Sequence, residues 1–167
     1  MPNHITNNIE AIHEDPKKIK WLRSCFDDKD TLDFNKIIPE PDNMFRGNLG
    51  AKEEAECKEK NIPTWYEWHY KYWGTKWKAY DGGIRHESSA CIAFHFLSAW
   101  APPQPIIDKL MAMGFTICGL WKDEGDSEVI AFNEDCGNWM SEVSFDYYVR
   151  PSLRRSEGEV KAQAYQS

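Results

Sequence analysis

No apolar run in this 167-residue chain approaches the roughly 20 residues that a membrane-crossing helix requires. No charged leader followed by an apolar stretch opens it either, so a soluble protein without a secretory signal is expected. The five cysteines (Cys25, Cys57, Cys91, Cys118 and Cys136) are odd in number and scattered, with no C-x-x-C pair. That pattern argues against a disulfide framework and against a cysteine zinc site, and it fits a reducing cytoplasm. The five histidines (His4, His13, His69, His86 and His95) never form H-x-x-x-H or stand beside a cysteine at ligand spacing, so neither a metal nor any other cofactor is expected. Gly82-Gly83 lacks the lysine and helix that follow a phosphate-binding loop. No cysteine has a local activating context for nucleophilic chemistry.

A basic excess is missing as well. The formal net charge is −7, which disfavours a partner held mainly by neutralising its phosphates. Acidic residues gather in 27–30, 53–59 and 123–135. They read as solvated surface, with an acidic face that imitates nucleic acid or meets a basic partner as the sharper alternative. Internal repeats, low-complexity tracts and linkers are absent. Hydrophobic residues at 41% and aromatics at 14% are globular values for a single domain of this length.

What is present in excess is aromatic. The stretch 64–81, TWYEWHYKYWGTKWKAYD, packs eight aromatic side chains into eighteen residues. Thr64 and Glu67 form a capping box after Pro63, and Gly74 supplies a left-handed stop, so a helix is expected between them. Trp65, Trp68 and Tyr72 share one face of it, and Tyr66, Tyr70, Trp73 and Trp77 fall near another, so both faces call for cover. Residues 75–80 then read as extended, and Asp81-Gly82-Gly83 as a turn.

Elsewhere the chain alternates strand and helix signals. MPNHITNNIEAI suits a first strand with Ile5, Ile9 and Ile12 as apolar candidates. Asp15-Pro16 opens a helix carrying Ile19, Leu22, Cys25 and Phe26. LDFNKIIPEP (32–41) reads as an extended segment closed by Pro39 and Pro41. Residues 43–60 read as an exposed insertion with a charged helix, AKEEAECKEK. In SACIAFHFLSAW, Ile92, Phe94, Phe96 and Trp100 alternate with a smaller face that includes His95, which marks a central strand. The prolines at 102, 103 and 105 lead into a second helix with Ile106, Ile107, Leu110 and Met111 on one side, stopping at Gly114. Strands are expected at 115–121, 128–132 and 139–145, with a turn at 123–126. The sum is an α+β, ferredoxin-like sandwich: an antiparallel sheet with helices on one face, an aromatic-rich helical insertion and extra C-terminal strands. The domain spans 1–145, and 146–167 is a polar tail.

The words MPNHITN, LDFNKIIPEP, WYEW followed by WGTKWKAYD, and FHFLSAWAPPQPIIDKL together resemble the YubB ferredoxin-like domain family of phage and plasmid proteins, over residues 1 to about 145. The resemblance implies a ferredoxin-like fold and a gene carried by a bacterial mobile element. It transfers no catalytic or binding residue.

The polar and aromatic residues of those words form the candidate binding group: Asn3, His4, Asn7, Asn35, Trp73, Thr75, Lys76, Trp77, Asp81, Trp100, Pro102 and Pro103. If they converge, they give aromatic walls with a few amide, hydroxyl and ammonium groups. The bland alternative is that the tryptophans are core and the asparagines bond to turns. No catalytic spacing emerges; His4, Asp81 and Glu124 are the only acid/base candidates. A non-enzymatic protein in the bacterial cytoplasm is therefore expected, one that engages a host protein, with an anti-defence role as one form of that contact. The alternative is a small-ligand, nucleotide or single-stranded nucleic-acid binder that stacks bases on the aromatic stretch. Neither reading fixes the oligomeric state.

Overall fold

The computed structural model describes residues 3–133. They form β1 (His4–Ile12), α1 (Pro16–Ser24), a 3-10 turn at Phe34–Lys36, α2 (Ala51–Glu59), α3 (Trp65–Tyr72), β2 (Tyr80–Glu87), β3 (Cys91–Ala99), α4 (Gln104–Ala112), β4 (Thr116–Asp123) and β5 (Ile130–Ala131). The strands lie in the order β2-β3-β1-β4-β5, with each neighbouring pair antiparallel. This is the ferredoxin-like arrangement, extended by β5, with α2 and α3 inserted after α1. The strand expected at 139–145 and the tail at 146–167 lie outside the described residues. Among the described residues no helix is long and apolar enough to cross a membrane.

Alternation explains the layers. Ile9 and Ala11 of β1 are directly opposite Phe94 and Ile92 of β3, and Ala11 is opposite Ile117 of β4. With Phe96, these side chains pack against Ile19 and Leu22 of α1 and Ile106, Ile107 and Leu110 of α4. Each such aliphatic or Phe side chain, fully buried, contributes about 1.5–3 kcal/mol. Asp15 caps α1 by accepting from the Lys17 N–H, and Pro16 occupies the first turn, as the sequence signals. Gly114, at φ +94°, follows α4.

Several expectations are corrected. Residues 32–41 are not an extended segment. Asp33 caps a 3-10 turn that buries Phe34, because that ring is held edge-on between Trp73 at 5.8 Å and Phe96 at 5.6 Å. Asp81-Gly82-Gly83 is not a turn but part of β2, whose pairing with β3 is irregular there. The glycines serve close approach: a Cβ at Gly82 would sit 2.9 Å from Thr31 Oγ1, and one at Gly83 would sit 2.7 Å from the His95 ring. The strand accordingly begins at Tyr80 rather than running through 75–80. Met111 is exposed instead of packed with Ile107 and Leu110, and Ile12 is only half-buried.

The other sheet face carries Asn8, directly opposite His95 on β3 and Leu120 on β4. Burial, and after it the Arg85 guanidinium, pushes the His95 imidazole down to about 4. Arg85 Nε donates to His95 Nδ1 at 3.1 Å. Asn8 is fully buried, and neither atom of its amide has a hydrogen-bond partner among the described residues.

Candidate binding surface

Antiparallel pairing brings the start of β1, the start of β2 and the ends of β3 and β4 to one end of the sheet: His4 is opposite Ala99, Ile5 opposite Asp123, and Tyr80 opposite Leu97. There His4 Nδ1 and Tyr80 Oη share a hydrogen bond of 2.6 Å, their rings edge to face. The His4 N–H donates to Glu124 Oε1 at 2.9 Å, and the Glu124 N–H returns to the His4 carbonyl at 3.0 Å. Burial, then the charges of Glu124 and Asp81, push the Tyr80 phenol above its ordinary range. The Asn3 carbonyl accepts from the Trp100 N–H at 3.0 Å, and the Asn3 side chain donates to Asp123.

The segment between α3 and β2 lies against the same end. Lys76 N–H donates to the Ala99 carbonyl, and buried Thr75 donates its hydroxyl to the Trp77 carbonyl at 2.7 Å. Lys76 Nζ stands 4.8 Å from the centre of the Trp77 ring, a cation–π distance. So Asn3, His4, Thr75, Lys76, Trp77, Asp81 and Trp100 gather at one end of the sheet. The remaining candidates lie elsewhere. Trp73 is core, its indole N–H donating to the Ile38 carbonyl. Asn7, fully buried on the helix side, donates to Ser98 Oγ and the Ile5 carbonyl. Asn35 accepts from the Glu40 N–H, and Pro103, buried, precedes α4 beside half-buried Pro102.

Trp100 was expected on the bulky face of β3. It instead leaves the strand at φ +71° and is 46% exposed. A left-handed backbone costs an ordinary residue roughly 1–2 kcal/mol, and close to half of the indole stays in contact with solvent.

Sequence reasoning missed His69, the histidine of α3. Its Nδ1 meets the Lys76 carbonyl at 2.8 Å and its Nε2 meets Glu40 Oε1 at 2.5 Å, while Arg46 holds the other Glu40 oxygen at 2.6 Å. Burial pushes the Glu40 carboxyl up, but the hydrogen bonds from His69 and Arg46 outweigh it, and the net shift is downward. This chain ties the insertion to the segment that carries Lys76. A histidine centred in an aromatic run was the available signal; its acidic partner, between two prolines, was not.

The tyrosine face of α3 does not find the cover its composition called for. Tyr66, 44% exposed, and Tyr70 stand one turn apart with rings 5.0 Å from centre to centre, and Tyr72 is also exposed. Beside Tyr66 a half-open groove of about 930 Å³ runs between α2 and the start of α3, with Leu49, Ala55 and Ile62 on its walls and Glu54, Lys58 and Glu67 among its lining residues.

Among the described residues, no group of three or more His, Cys, Asp or Glu side chains is placed to hold a metal ion. Burial pushes the Cys25 thiol up to about 11, the opposite of nucleophilic activation. Comparison with protein-family models, with characterised proteins and with solved structures yields no match.

Proposed function

We propose that this chain is a non-enzymatic binding protein of a phage or plasmid that engages a bacterial host protein, with Trp100 as the anchor of the contact. The observation that carries the reading is the pairing of a left-handed backbone with an exposed indole at Trp100. Backbone strain of this kind persists where surrounding structure enforces it, and it clusters at functional positions. Exposed tryptophan is among the side chains that most often dominate protein interfaces. The mobile-element origin rests on the resemblance of the motif words, and an anti-defence role is one outlet for such a contact.

The test is retention of host proteins from nuclease-treated bacterial lysate by the tagged chain and by its Trp100→Gly variant. Glycine suits the left-handed backbone, so the variant should be more stable by about 1 kcal/mol while losing a stoichiometric partner. Equal retention by both proteins sinks the reading.

A second reading has its own support in the cation–π pair of Lys76 and Trp77 at the same sheet end. A small ligand or single-stranded nucleic acid could stack there, at about 1–3 kcal/mol per base. Titration of the intrinsic tryptophan fluorescence with nucleotides and oligonucleotides decides it: saturable quenching lost in Lys76→Ala supports the ligand, and a flat response removes it.

A further inference from the structure

We infer that the groove between α2 and α3 receives a short basic segment of the partner polypeptide, an inference that rests on the protein-binding reading above. The groove is chemically divided. Leu49, Ala55 and Ile62 give an apolar lining, while Glu54 of α2 and Glu67 of α3 bring carboxylates to it from two different helices. Neither carboxylate has an ion pair among the described residues, although Lys52 and Glu56 on the same helix do pair. The two negative charges outnumber Lys58 in the lining, on a chain of net charge −7.

Tyr66 joins this groove to the exposed tyrosine face, and its ring offers a π surface to a cation. An aliphatic side chain on the apolar wall followed by a guanidinium or ammonium between the two carboxylates satisfies both halves at once. Arginine fits best, because its planar fork pairs with carboxylate and stacks on an aromatic ring together.

The probe is acetyl-Leu-Arg-amide, titrated into the isotopically labelled full chain and followed by amide chemical shifts. Its neutral citrulline analogue and the bare diamine putrescine are run beside it. Saturable shifts confined to Ala55, Ile62, Tyr66 and their neighbours are expected, weakened by added salt. The double variant Glu54→Gln/Glu67→Gln should bind ~5-fold or more weakly, as loss of two surface charge contacts implies. Equal binding of the citrulline analogue overturns the cation, and equal binding of putrescine overturns the peptide. Absence of saturable shifts at the groove overturns the site. Trp100→Gly should leave this titration unchanged, so failure at the groove is read separately from failure of the contact at the sheet end.

Discussion

The imidazole of His69 lies nearly parallel to the indole of Trp73, with ring centres 4.2 Å apart and planes 12° from parallel. The stack fixes the imidazole so that its two nitrogens reach acceptors on different segments, the Lys76 carbonyl and Glu40. One ring thereby joins the 32–41 segment, α3 and the connection to β2. His69→Ala should cost about 2–3 kcal/mol, the sum expected when a buried stack is lost and two acceptors are left unpaired. Denaturant unfolding measures it, and a loss below half a kcal/mol would show that Arg46 alone holds Glu40.

Asn8 makes the opposite forecast. Because neither atom of its buried amide is hydrogen-bonded among the described residues, removing the amide relieves a desolvation cost instead of breaking a bond. Asn8→Leu should stabilise the chain by about 1 kcal/mol or leave it unchanged. A large destabilisation in the same unfolding assay would mean that the amide has a partner in solution.

Gly74 ends the turn after α3 at φ +77°, and a Cβ there would stand 2.7 Å from Pro105 Cδ. Gly74→Ala therefore suffers from both strain and overlap, and about 2–3 kcal/mol of lost stability is expected. The proline is rigid and sits in the first turn of α4, so the loss should appear as a lower melting temperature.

His95 sets a dependence on pH. Its folded value of about 4 lies below the ordinary 6.5, so between those limits the unfolded chain takes up a proton that the folded chain refuses. Stability from this residue is full above the ordinary value, falls as pH drops through the window, and levels off below about 4. A titration of the His95 ring proton by NMR with a midpoint near the ordinary histidine value would contradict the buried contact with Arg85.

What the residues disclosed in advance was chiefly local. Asp15-Pro16, Thr64 with Glu67, Gly74 and Gly114 mark helix ends through chemistry confined to a few neighbours, and Thr64 indeed accepts from the Glu67 N–H. The alternation of Ile92, Phe94 and Phe96 marks β3 for a similar reason. The misreadings were all tertiary. Gly82 and Gly83 look like a turn until Thr31 and His95 crowd them from other elements. Phe34 looks like part of a strand until Trp73 and Phe96 claim it. Trp100 continues an alternating pattern but leaves the strand one residue early.

The candidate group was legible as words but not as a place. Asn3, Lys76 and Trp100 become neighbours only because β1 lies between β3 and β4, a fact carried by pairing across most of the chain. Nothing in the spacing of the motif words separates Asn7, which is interior, from His4, which is at the rim.

The central position of β1 also has a consequence for synthesis. β1 is translated before both strands that flank it, and Ile9 cannot complete its ladder until Phe94 and then Gly119 have been translated. Local helices form within microseconds, whereas pairings of this separation are slow. Until those strands emerge, β1 stands with both edges unpaired, a state open to wrong pairing.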